Sequence, residues 1–153
     1  MSDIDLRCFP DGYSLDFDHA LSEINGGQKH SHWMWFIFPQ IAELGSSPAA
    51  AYAIRSRAEA EAFLRDPVLG PAYQRLVDAV RAQVVDHGVT VRNLFGRPDD
   101  QKLVSSLTLF AAVARDLSDD WAPTVAKADA VLDVAAGQGL PRCAATQRFL
   151  AAF

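Results

Sequence analysis

Lysine is scarce in this chain: three lysines and eleven scattered arginines stand against nineteen acidic residues, and the formal net charge is −5. Holding a nucleic-acid backbone takes Lys and Arg clustered on one face, so a long nucleic-acid partner is excluded and only small anions remain in scope. Cysteine is equally sparse. Cys8 and Cys143 lie near opposite ends and form no C-x-x-C spacing, which points to free, reduced thiols and away from a thiolate metal site. No apolar run approaches the roughly 20 residues that a membrane span needs. The N-terminus, Met-Ser-Asp-Ile-Asp, has neither the basic nor the apolar region of a leader, so we expect a cytoplasmic protein. The phosphate loop G-x-x-x-x-G-K-[ST], the dinucleotide fingerprint G-x-G-x-x-G and the nucleophile elbow G-x-S-x-G are all missing. Their chemistries, NTP hydrolysis on a P-loop, dinucleotide-fold redox and triad hydrolysis, are disfavoured with them.

What is present is enough apolar residue for one core. Half of the 153 residues are hydrophobic and 22% are charged, and a chain of this size buries about 70% of its unfolded surface. The densest stretch runs from Lys29 to Gln40, Lys-His-Ser-His-Trp-Met-Trp-Phe-Ile-Phe-Pro-Gln. It holds two of the three tryptophans and two of the four histidines, with the ionisable groups at its front edge. Such a segment must be buried. Ser31 is placed to cap a short helix to Phe38, where Pro39 ends regular structure; aromatic richness would also suit a buried strand, but no other segment offers a strand to pair with.

The remaining pattern is helical. Residues 1 to 14 are polar and turn-rich. From Asp16, a candidate cap, Phe17, Ala20, Leu21 and Ile24 recur at helical spacing until Asn25-Gly26-Gly27. Ser47-Pro48 opens an Ala-rich turn through Tyr52. Ser56 and Glu59 match a capping box for a helix to about Arg65. Asp66-Pro67 begins a long amphipathic helix closing at His87-Gly88, and Thr90 caps a short one closing at Gly96. Pro98 opens another long helix with Asp99 and Asp100 in its first turn, where the helix dipole favours acids. Ser118-Asp119-Asp120 caps a helix through Ala136, and Pro141 introduces the last. The expected architecture is all-α: a single compact domain over residues 1–153 with seven to nine helices, several of them short.

Several side chains invite chemistry. His30 and His32 suggest a metal, but two residues apart on a helix they diverge, and no acidic or thiol ligand is close in sequence, so we expect neither metal nor cofactor. Trp33 and Trp35 are either core fillers or a stacking platform for a base. Gln40, behind the Phe38-Pro39 break, is placed to read a ligand edge. Asp99, Asp100 and Lys102 at a helix start are either capping residues or a general base beside an anion clamp. Ser105, Ser106 and Thr108 put three hydroxyls in four positions, more than helix stability asks for; some are expected to bond the backbone and some to face a pocket. Lys29 and Arg55, the latter beside Ser56, are further cations that could neutralise a phosphate or carboxylate.

These stretches also carry a resemblance. The run Gly27 to Gln40, then Tyr52-Ala53-Ile54-Arg55-Ser56, Asp66-Pro67-Val68-Leu69-Gly70, Phe95-Gly96-Arg97-Pro98-Asp99-Asp100-Gln101-Lys102-Leu103 and Ser105-Ser106-Leu107-Thr108-Leu109-Phe110 resembles the bacterial domain-of-unknown-function family 1810 (DUF1810). Some of its members carry the label calpastatin-like. The resemblance implies a fold group without an established activity, similar in size and helical character to the NAD- and ADP-ribose-associated domains. From the residues themselves, whose polar members cluster at helix starts or breaks where side chains and free amides converge, we expect a pocket for a small anionic or nucleotide-like ligand, with Lys29, Trp33, Trp35, Gln40, Arg55, Ser56, Asp100, Ser105 and Thr108 as ligand-binding candidates. If the protein is an enzyme, a hydrolase acting on a nucleotide or ADP-ribose-type ligand is expected, with His32, Asp99 and Lys102 as its catalytic residues. The alternative is a non-catalytic interaction module or the subunit of a homo-oligomer.

Overall fold

A computed structural model describes residues 13–42 and 53–152. The described residues form eight α-helices: α1 (Tyr13–Asn25), α2 (Met34–Ile37), α3 (Arg57–Arg65), α4 (Leu69–Arg81), α5 (Val91–Phe95), α6 (Asp99–Arg115), α7 (Ala122–Gly137) and α8 (Ala144–Ala151). A π-helical turn, Ala82–Asp86, prolongs α4, and a 3-10 turn, Asp119–Trp121, leads into α7. The fold is all-α, as the periodicity implies. Extended pairing among the described residues is limited to one parallel bridge, Ile41 to Ile54. There the Ile54 amide donates to the Gln40 carbonyl and the Ala42 amide to the Ile54 carbonyl, each at 2.9 Å.

The local signals act where the sequence puts them at α3 and α5. Ser56 accepts the Glu59 amide, and the Glu59 carboxylate reaches back to the Arg55 amide at 2.6 Å, closing a capping box one residue wider than the usual form. Thr90 accepts from the Asn93 amide at the start of α5. Replacing Ser56 with alanine is expected to lower stability by about 1 kcal/mol, measured by urea unfolding, because the first turn of α3 loses its acceptor. Asp66 likewise takes the Val68 and Leu69 amides, at 2.9 and 2.8 Å, ahead of α4.

Three expectations are corrected. Helix α1 starts at Tyr13, so Asp16 stands in its first turn and is a dipole partner, not the cap. Helix α2 starts at Met34, because Ser31 spends its hydroxyl on Glu23 and Trp33, at the cap position, has no acceptor. Ser118 opens the 3-10 turn without a side-chain bond, and α7 begins four residues later. The expected turn at Ser47-Pro48 and the irregular start of the chain lie outside the described residues, apart from the opening of α1.

Helix α6 is the axis of the molecule. It packs against α3, α5, α7 and α8, and every residue from Leu103 to Ala111 is buried. That explains three hydroxyls in a row of apolar residues, since a helix covered on all sides must satisfy its polar groups internally. The aromatic segment enters this core. Phe38 sits 6.3 Å from Trp33, 5.8 Å from Phe95 and 5.7 Å from Tyr73, and Tyr73 continues to Phe110 at 4.8 Å. Trp33, Met34, Ile37 and Phe38 are all at most 2% exposed. Each buried aromatic of this kind contributes about 2–3 kcal/mol of transfer free energy, so the stretch anchors the fold.

Candidate functional site

After α1 the chain turns at Gly26 and at Gly27, whose φ of 89° is open to glycine at no steric cost. The reversed segment then lies back over the end of α1. Glu23 holds it there with both carboxylate oxygens. Oε1 accepts the amides of His30 (2.6 Å) and Ser31 (2.8 Å) and the Trp33 indole N–H (3.1 Å), while Oε2 accepts the Ser31 hydroxyl (2.6 Å). Partial burial pushes the Glu23 carboxyl up. The hydrogen bonds from the Ser31 hydroxyl, the His30 and Ser31 amides and the Trp33 indole outweigh it and bring the pKa from 4.5 down to about 2. Sequence reasoning missed Glu23 altogether, because in α1 it is one more polar residue beside buried Ile24. A carboxylate one turn before a glycine pair that leads into Lys-His-Ser-His was the available signal.

The clipped segment delivers Lys29 to the start of α6. Its amide donates to the Leu94 carbonyl of α5 at 2.7 Å, and its ammonium donates to the Ser31 carbonyl. That ammonium lies 5.0 Å from the Trp33 ring centroid and 2.8 Å from Asp99 Oδ2, with the lysine side chain only 7% exposed. The other oxygen of Asp99 faces Lys102 Nζ at 3.5 Å. Two ammonium groups therefore share one carboxylate. The next residue, Asp100, is fully buried; its Oδ1 takes the Gln101 amide, while its Oδ2 has no hydrogen-bond partner and lies 3.7 Å from Arg92 Nε.

Of the residues singled out from the sequence, Lys29, Trp33, Asp99, Asp100 and Lys102 come together at this corner, and His32 stands exposed on the same segment. Trp33 is 2% exposed, its ring packed against Phe38, Phe95 and Lys29. The side chain of Trp35 lies outside the described residues. Arg55 and Ser56 are engaged at the start of α3 with Glu59, and Gln40 contributes its carbonyl to the bridge with Ile54. The hydroxyls of α6 point elsewhere: Ser106 to the Tyr73 hydroxyl (2.8 Å) and Ser105 to Thr146 (3.2 Å). Thr108 donates to the Val104 carbonyl at 2.7 Å, accepts the Cys143 amide at 3.3 Å and borders a cleft against α7 and α8. Among the described residues no three His, Cys, Asp or Glu side chains converge as metal ligands.

The fold and this corner define a small helical single-domain protein whose charged residues gather where a reversed loop meets a long helix. It belongs to the DUF1810 family of proteins of unknown function, whose model matches residues 3–127. The chain is also similar to a solved structure, the conserved hypothetical protein Rv1873 from Mycobacterium tuberculosis. That likeness has 36% identity over 97% of this chain and 96% of the other, with a TM-score of 0.76. A search of curated proteins found no match.

Proposed function

We propose that the corner formed by Lys29, Asp99 and Lys102 binds a small anionic, nucleotide-like ligand. The observation that carries this is the pair of lysines on Asp99, two of the three in the whole sequence. Among the described residues Asp99 alone faces both ammonium groups, while the neighbouring carboxylates are engaged elsewhere, Asp100 toward Arg92 and Glu23 by the reversed segment, so Lys102 is incompletely paired, and the nearly buried Lys29 feels less screening than a surface lysine. An incoming phosphate meets ammonium groups already held in place, so little side-chain ordering is left to oppose binding. Lys102, 31% exposed and opposite the buried Lys29, is the anion clamp. His32 is near enough in sequence and exposed enough to reach the same ligand.

Should the ligand be turned over, the arrangement suits hydrolysis of a glycosidic or phosphate bond. Asp99, held as an acceptor between two cations, then orients or deprotonates water, and His32 protonates the leaving group. Thermal unfolding with AMP, ADP-ribose, NAD and a sugar phosphate tests the binding step. A ligand that binds only the native state at 100 times its Kd stabilises by about 2.7 kcal/mol. At least one phosphate-bearing compound should raise Tm in the native chain and fail to do so in K102A. No shift with any of them at saturating concentration would refute the proposal.

A further inference from the structure

We propose a second ligand site, independent of the first, in the cleft between α6, α7 and α8, which takes a small carboxylate with an apolar body. The cleft encloses about 220 Å³ and is bordered by Arg115, Asp129, Leu132, Arg142, Gln147 and Leu150, with Ala111 and Ala112 of α6. Most of these residues follow position 127, beyond the segment that the family model matches.

The case rests on how the two arginines are used. Arg115 meets Asp129 Oδ2 through Nη2 at 2.6 Å, and Arg142 meets Asp133 Oδ1 through Nη2 at 3.1 Å, with Asp129 Oδ1 at 3.7 Å. Each guanidinium thus spends one N–H of Nη2, and because its two bidentate edges, Nε–Nη2 and Nη1–Nη2, share that nitrogen, one edge remains open through the second Nη2 hydrogen. A planar fork with an unused edge is the group that binds a carboxylate through two parallel hydrogen bonds, better than it binds the single oxygen it now holds. Asp133 is 71% exposed and its pair with Arg142 is screened, whereas Asp129, shared by both arginines, is 34% exposed, so an incoming carboxylate displaces Asp133 more readily than Asp129.

Leu132, Leu150 and the two alanines supply the other half of the site. They form an apolar wall beside the forks, so an acyl chain has somewhere to go once its head group is fixed. Gln147 adds an amide at the border. The Arg115–Asp129 pair also borders a neighbouring cleft of about 350 Å³ lined by Ser118 and Ala122. An acid that takes Arg115 from Asp129 therefore loosens the partition between the two clefts and makes room for a longer chain.

The test is an NMR titration of the full chain with hexanoate, followed through the arginine Nε–H signals, with hexanol and acetate in parallel. An eight-heavy-atom acid should saturate with a Kd on the order of 1 mM, with Arg115 and Arg142 moving. Hexanol should leave both signals in place, and acetate should bind about 10-fold more weakly than hexanoate. The double variant R115K/R142K keeps both charges but not the forks; it should bind hexanoate about 10-fold more weakly while retaining the native Tm. Absence of saturable movement in the native chain, undiminished affinity in the double variant, or acetate binding as well as hexanoate, an adventitious ion only, would each overturn the proposal. These readouts do not depend on the Lys29 corner, so either site can fail without the other.

Discussion

Replacing Gly70 with alanine is expected to lower the unfolding free energy by about 3 kcal/mol or more, because among the described glycines it is the one whose added methyl would overlap backbone. Gly70 is buried in the first turn of α4, where the chain passes over the end of α3. A Cβ built on it would stand 2.1 Å from the Leu64 carbonyl oxygen and 3.1 Å from its carbon. Both are backbone atoms, so relief requires α3 and α4 to move apart, and that shifts Phe63 and Tyr73, whose rings lie 5.9 Å apart in the core. Urea unfolding of G70A measures the loss. Gly137 is the matched control: it is helical, its φ is not positive, and nothing lies within 4 Å of an added Cβ. G137A should be neutral or stabilising by up to about 1 kcal/mol. A G70A variant as stable as G137A would show that α3 and α4 do not meet as described.

Substitution of Glu23 has the second-largest expected effect, and it depends on pH. The carboxyl has a folded pKa of about 2 against 4.5 in its ordinary state. Its contribution to stability is therefore full above about pH 4.5, and it is lost as pH falls through 2, since the unfolded chain takes up the proton first. Discounted for solvent screening, that contribution is about 1–2 kcal/mol. In E23Q an amide cannot accept on both of its atoms, so the Ser31 hydroxyl and the neighbouring amides lose a partner at neutral pH. We expect a loss of about 2 kcal/mol at pH 7, with the gap to the native chain narrowing toward pH 2. Unfolding measured at pH 7, 4 and 2.5 checks the sign. An equal loss at every pH would mean that the Glu23 charge is not what holds the segment.

Some helix starts were legible from a polar side chain close in sequence, while Asp16, Ser31 and Ser118 gave the same signal and cap nothing. Ser56 with Glu59 and Thr90 announced theirs, and the structure uses all three. The aromatic segment gave its burial away, but not its short span, because Ser31 has a stronger partner in Glu23 than the amides of a first turn. That competition crosses a chain reversal and leaves no periodic trace. Gly70 shows the same limit: a glycine within a helical pattern costs about 1 kcal/mol relative to alanine, which signals a close approach but not to what. Asp99 and Lys102 were readable as a pair three residues apart on α6. Their meeting with Lys29, seventy residues earlier, needed the fold. The hydroxyls of α6 looked like surplus polarity because a helix buried on every face cannot be told from an amphipathic one by serines alone; Thr108 borders a cleft, while Ser105 and Ser106 are held by Thr146 and Tyr73.

The central claim is that the incompletely paired Lys102, beside Lys29 and Asp99, receives an anion. Its most direct test is the affinity for inorganic pyrophosphate of the native chain, K102Q and D99N, measured by calorimetry at low salt and below the melting point of each. Removing a cation and removing the competing carboxylate must act in opposite directions. K102Q should weaken binding about 10-fold, and D99N should tighten it by a similar factor, since each changes the local charge by one at close range. If both substitutions change the affinity in the same direction, or neither changes it, the corner is not an anion site.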